Sequence, residues 1–294
     1  MYTRIETITP ARATELLKNN KGNRPLKYRV VASLARDIQN GNFKTTHQGI
    51  SIGLDGRLLD GQHRLAACVL ADTPITVYVT YDMPEELMTF VDAGVSRSFA
   101  DRASVSGAFR DEPALRDSST SAMLNELIHE NLNSNLRATD PELSAVIGAF
   151  HDDVLFVACN RPKGGGGGAA VNAALLAAAI CGEPHSGLKS FCRVFSTGAC
   201  ADEREYCVTA VHLLSRYLLS AKAKGMNVGN PKKYNLTQNA IYQFLHSPGP
   251  IKLLKESTTP RYPVEEKLRA VLGSPVSPYS EVKAIAKLSR EGQK

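Results

Sequence analysis

Apolar side chains return every three or four positions from Leu26 through Val30, Val31 and Leu34 to Ile38, the spacing of one face of a helix. Gly41 follows, placed to end that helix in the left-handed conformation. The period then shortens to two. QGISIGL reads as a short strand, Asp55-Gly56 as a tight turn and Arg57 to Leu59 as the strand that returns. From Gln62 to Leu70 the chain is rich in Ala and Leu, which predicts a helix with Asp60-Gly61 at the bend before it. ITVYVTY, β-branched and aromatic, predicts a further strand. DMPEELMTFVDAG is expected to form a helix with Asp82 as its cap, Pro84 in its first turn and Glu85 and Glu86 at the positive end of its dipole. Ser98 and Asp101 have the spacing of a capping box for another helix.

Beyond Gly107 strand-like runs nearly vanish. AAVNAALLAAAI, YCVTAVHLLSRYLLSAKAKG and LTQNAIYQFL all carry helical patterns. Five consecutive glycines, Gly164 to Gly168, are not followed by Gly-Lys-Ser/Thr, so they are no Walker-type phosphate loop and read as a flexible connector. The Pro- and Ser-containing stretch 257–280 is expected to be loosely structured, and no helix-turn-helix stands out between 108 and 160. The fold class is therefore α+β: a compact unit with a small mixed sheet over residues 1–107, then a mainly α-helical domain over 108–294.

Composition adds three constraints. With 294 residues the chain can bury a substantial core in one or two domains. No run of about 18 apolar residues is present and no charged-then-apolar leader follows Met1, so a cytoplasmic protein without membrane partners is expected. The six cysteines form no C-x-x-C pair, which argues against a zinc site or a redox dithiol and for buried thiols in a reducing compartment. The net charge of +6 is concentrated late, since residues 221–294 hold 13 Lys and Arg against five Asp and Glu. A polyanion would be held there. Lys222, Lys224, Lys232, Lys233 and Lys252, with Lys255, Arg261, Tyr234 and Tyr242 interleaved, are candidates for neutralising phosphates and stacking on unpaired bases; the alternative is a helical face whose lysines merely meet water.

The chemistry concentrates in GRLLDGQHRLAACVLAD, residues 56–72. A helix N-terminus presents unpaired N–H groups and a partial positive charge, and a glycine before it lets a ligand approach the backbone. Gly61 holds that position. Arg64, one turn into the helix, can clamp phosphate oxygens with two donors, and Gln62 and His63 supply further donors. His63 can also move a proton near neutral pH. The bland alternative is a strand-to-helix turn flanked by surface residues.

LLDGQHRLAA resembles the nucleotide-binding box of ParB-type partition proteins and sulfiredoxin, in the Asp-Gly-Gln-His-Arg variety common in phage and mobile-element proteins. Gly61, Arg64 and Ala67 supply its Gly-x-x-Arg-x-x-Ala frame. The helix before, the hairpin leading in, the strand after and FVDAGVSRSFADRASVSG are also similar, so the likeness spans residues 23–107. It implies a ParB/sulfiredoxin-like first domain in which Gly61, Gln62, His63 and Arg64 contact phosphates while Asp92 and Arg97 close the pocket. Two departures narrow it. Val91-Asp92-Ala93-Gly94-Val95-Ser96-Arg97 replaces the Glu-Asn-x-x-Arg element of CTP-hydrolysing clamps, and Gln62 stands where sulfiredoxin has its reactive cysteine. Cys68 lies two turns too far along to replace it.

Three functions follow as expectations. The first is an NTP-binding (ATP or CTP, with Mg²⁺), DNA-associated protein that forms homo-oligomers and hydrolyses NTP. The second is a metal-dependent nuclease or phosphotransferase acting on DNA, with Asp60 and His63 as catalytic residues and Asp55 as a turn residue or a further metal partner. The third is a non-catalytic interaction protein on the same scaffold. No resident metal site is expected.

Overall fold

The computed structural model describes residues 1–90, 98–132, 137–162, 168–200, 206–273 and 285. They form two compact units whose main segments are 1–96 and 97–273. The chain is α+β, with a small mixed sheet in the first unit and helices throughout the second.

In the first unit the elements run β1 (Tyr2–Ile8), α1 (Pro10–Lys18), α2 (Tyr28–Gln39), β2 (Ile50–Gly53), β3 (Leu58–Asp60), α3 (Gln62–Ala71) and β4 (Ile75–Met83). The sheet order is β1-β4-β2-β3, with β4 antiparallel to β1 and parallel to β2, and β2 antiparallel to β3. Strand β4 alternates as its sequence predicts, burying Ile75, Val77 and Val79 while Thr76 and Tyr78 face outward. Helix α3 packs against both α1 and α2. Its Leu65, Ala66, Ala67 and Cys68 are fully enclosed, and burial pushes the Cys68 thiol up to about 11, so this cysteine is a packing residue.

Three expectations change here. The α2 stripe is rotated: Val31, Ala32, Ala35 and Ile38 are buried, whereas Val30 is 41% exposed. Small alanines on that face let the helix approach α3 closely. Asp82 caps no helix, because β4 runs through to Met83 with Asp82 at φ +55°. Pro84 then has no N–H to extend the ladder, and only a 3₁₀ turn, Glu85–Phe90, follows. Finally, β1 and α1 are elements that the apolar pattern did not announce.

The second unit comprises α4 (Phe99–Ser106), α5 (Ser118–Leu132), α6 (Asp140–Ala149), α7 (His151–Asn160), α8 (Ala169–Ile180), α9 (His185–Thr197), α10 (Val208–Ala223), α11 (Asn230–His246) and α12 (Glu265–Leu272). Helix α8, apolar except for Asn172, is buried from Ala170 to Ile180, as a central helix must be. Helices α5, α7, α9 and α11 pack around it. The capping box on α4 is present, with the Ser98 side chain accepting from Asp101 N–H and the Asp101 carboxylate accepting from Ser98 N–H. Helix α12 lies inside the stretch expected to be loose, and its Leu268 is fully buried. Of the glycine run, Gly168 is the N-cap of α8 and residues 164–167 lie outside the described residues, as do 274–280. All six cysteines are free thiols: Cys68, Cys192 and Cys207 are buried, Cys181 and Cys200 half-buried, Cys159 exposed. Among the described residues no helix is long and apolar enough to cross a membrane.

Candidate functional site

The turn between β3 and α3 is built around two glycines. Gly61, N-cap of α3, holds left-handed backbone at φ +95°, and a Cβ there would stand 2.9 Å from Ile50 Cγ1 and 3.0 Å from Ile50 Cα. Gly49 passes so close to β4 that a Cβ would fall 2.0 Å from the Tyr78 carbonyl oxygen. Both glycines are required by close packing of the chain on itself, without reference to any ligand.

The next three side chains tie α3 to its neighbours. Gln62 is 5% exposed; its Oε1 accepts from Asn20 Nδ2 at 3.0 Å and its Nε2 donates to the Arg24 carbonyl at 2.9 Å. Asn23 continues this network, donating to Asn20 Oδ1 and to the Leu58 carbonyl, both at 2.7 Å. His63 Nε2 accepts the Lys27 backbone N–H at 3.0 Å, which leaves Nδ1 to carry the proton of the neutral ring. Arg64 donates to the Gly49 carbonyl at 3.3 Å and to Gln48 Oε1 at 2.9 Å. The box therefore braces residues 20–27 on one side and 48–49 on the other.

That bracing has an electrostatic result. Lys27 is the N-cap of α2 and His63 lies in the first turn of α3, so their hydrogen bond brings two helix N-termini together. In neither helix does the N-cap residue cap the first turn with its own side chain. Two positive dipole ends are thus joined by one hydrogen bond. Burial depresses the His63 pKa, and the nearby cations Arg24, Lys27 and Arg64 lower it further, with Asp60 opposing them. Burial first, and the surrounding positive charge second, thus favour the neutral imidazole over the imidazolium. Its lone pair is engaged, so proton abstraction at Nε2 would first require release of the Lys27 N–H.

Of the residues the sequence singled out, Asp60, Gly61, Gln62, His63 and Arg64 adjoin one another, and Asp92 and Arg97 lie outside the described residues. Arg24 and Lys27 were missed. Their signal was two cations around Pro25, immediately before a helix. Asp55 is the turn residue it resembled, accepting from Arg57 N–H at 3.0 Å. The one trio of metal-ligating side chains among the described residues is Glu126, His129 and Glu130 on α5 of the second unit, and it includes neither Asp60 nor His63.

The basic candidates of the second unit divide. Lys222, Lys224 and Lys252 are exposed. Lys232 is held by Glu256 at 2.9 Å, beside the Tyr217 ring. Lys233 is half-buried and lines, with Lys222, a cleft of about 190 Å³ beside the first turn of α8. Tyr234 is a correction: it is 6% exposed and its hydroxyl accepts from Asn131 Nδ2 at 2.8 Å, so its ring packs in the core and cannot stack on a base. Tyr242 is likewise occupied, with the Arg261 guanidinium 4.6 Å from its ring centre.

No family model, curated protein or solved structure matches the chain.

Proposed function

We propose that the protein binds phosphate groups where the N-termini of α2 and α3 meet, with an NTP (ATP or CTP, accompanied by Mg²⁺) as the ligand and DNA as the larger partner. The observation that carries this reading is the meeting of two helix N-termini through the Lys27 to His63 hydrogen bond, with Arg24, Lys27 and Arg64 placing positive charge around it. The likeness of Asp60 to Arg64 to the ParB-type box supports it independently. DNA association rests on the exposed Lys222, Lys224 and Lys252, which suit sequence-independent backbone contact. The reading is one of binding without bond cleavage, because the His63 lone pair is already committed. Hydrolysis by Asp60 and His63 is the second reading, and it requires that commitment to break when ligand arrives.

Titration with ATP, CTP and GTP, with and without Mg²⁺, tests the proposal. Lys27→Ala is the informative variant, since only the backbone N–H of Lys27 serves the internal brace. Loss of a charge-assisted contact is worth about 1.5–3 kcal/mol, so affinity should fall roughly ten- to a hundredfold while the fold persists. Failure of all three triphosphates to bind saturably, or equal affinity in Lys27→Ala, overturns the proposal.

A further inference from the structure

Strand β1 lies at the edge of the sheet, and its outer side pairs with no strand among the described residues. Edge strands are usually blunted by proline, a bulge, brevity or an inward-pointing charge. β1 is seven residues long, contains no proline and runs in unbroken register with β4 from Tyr2 opposite Tyr81 to Ile8 opposite Ile75. Tyr2 is 52% and Ile5 57% exposed. Its only charges, Arg4 and Glu6, stand one residue to either side of Ile5 on the face of Val77 and Val79, and they neutralise each other in an ion pair instead of leaving a lone inward charge to repel a second strand. That symmetry selects a partner.

We propose that β1 is a self-association surface, in which a second copy of this chain adds its own β1 antiparallel to the first about a two-fold axis at Ile5. In that register Arg4 stands opposite Glu6 of the other copy, Glu6 opposite Arg4, Thr3 opposite Thr7 and Ile5 opposite Ile5. All are favourable cross-strand pairs, each worth about 0.2–1 kcal/mol. The neighbouring symmetric registers fail: centring on Arg4 sets arginine against arginine, and centring on Glu6 sets carboxylate against carboxylate. A shift of one residue between the strands is excluded as well, because it juxtaposes opposite faces of the sheet. The outward face continues across the joint, since Thr3 and Thr7 already form hydroxyl pairs with Thr80 and Thr76, at 2.9 and 3.1 Å, flanking Ile5 and Tyr78. Within one copy Arg4 Nε donates to Glu6 Oε1 at 2.6 Å and both side chains meet Tyr81 of β4, so pairing across the joint exchanges this intrachain ion pair for two between copies. One strand edge buries less than a stable interface requires, so the dimer is weak and concentration-dependent.

Sedimentation of the full chain over a concentration series, from about micromolar to about millimolar, tests this together with charge exchange at the two positions. Wild type should dimerise reversibly. Arg4→Glu and Glu6→Arg should each weaken dimerisation at least tenfold, and the double variant Arg4→Glu/Glu6→Arg should restore it, because the complementary pairing returns with its signs exchanged. Restoration also separates the proposal from simple unfolding of the single variants. Ile5→Cys should give an oxidised dimer whose linked peptide contains residue 5 of both copies, as directly opposed residues on adjacent strands fall within disulfide reach. A wild type that stays monomeric throughout, a dimer indifferent to the single reversals, a double variant as weak as the singles, or an Ile5→Cys dimer not linked through residue 5 would each overturn it.

Discussion

Gly61 and Gly56 both hold left-handed backbone, at φ +95° and +76°, but only Gly61 has neighbours where a Cβ would go. The pair separates two costs. Gly56→Ala should lose only the conformational term, about 1–2 kcal/mol. Gly61→Ala adds a clash with the Ile50 main chain, which cannot swing aside as a side-chain end would, and should lose about 2–5 kcal/mol. Denaturant unfolding of the two variants beside wild type measures the difference; equal losses would mean that the turn has more room than its contacts indicate. The box residues were legible in the sequence as a cluster at a strand-to-helix bend. Their partners were not. Asn20, Arg24, Lys27 and Gln48 reach Gln62, His63 and Arg64 across 16 to 42 positions of chain, and local pattern carries no trace of such distant pairings.

At the level of elements, legibility followed the match between apolar pattern and burial. Helix α8, Asn172 apart, is apolar on every side and buried on every side, so its run of Ala and Leu announced it. Strand β4 alternates in phase with the core. In β1 the phase is inverted: Ile5 faces outward, while Arg4 and Glu6 share the face of Val77, Val79 and Tyr81. Their charges are kept at its margin by the Arg4 to Glu6 pair and by the Tyr81 hydroxyl, which donates to Glu6 Oε1 at 2.7 Å. A polar strand at a sheet edge leaves no periodic signal. Caps are more readable, because their chemistry is local. Ser98→Ala removes the acceptor for the Asp101 N–H and should cost about 0.5–2 kcal/mol, seen as a lower melting midpoint; no change would show that this box contributes nothing to α4.

For the whole molecule, two histidines set opposite pH dependences. His63 of the first unit is held neutral by burial and by the cations around it, so its folded pKa lies below the ordinary 6.5. Its contribution to stability is present above the unfolded value and is lost as pH falls through the folded one. His151 of the second unit bonds Asp152 at 3.0 Å and Glu112 at 2.8 Å, and these carboxylates raise its pKa. Its contribution is fully present below 6.5 and disappears as pH rises through the raised value. Asp117, held low by hydrogen bonding from Arg161, bounds the second unit on the acid side: its contribution is present above the usual carboxylate range and is lost as pH falls through the lowered value. Thermal melts between about pH 5 and pH 8 should show His63→Gln most harmful at the alkaline end and His151→Gln most harmful at the acid end. Slopes altered in the same direction by both variants would contradict this assignment.

The position of β1 also fixes an order of events in time. During synthesis β1 finds its partner only when Ile75–Met83 has emerged, with two β-strands and three helices made between them. Until then YTRIETI lacks the strand it pairs with in the folded unit. The sheet's central parallel pair, β2 with β4, waits for the same segment. Nascent chains ending before β4 therefore cannot close the sheet, and this late, long-range closure marks the arrival of β4 as the step that gates folding of the first unit.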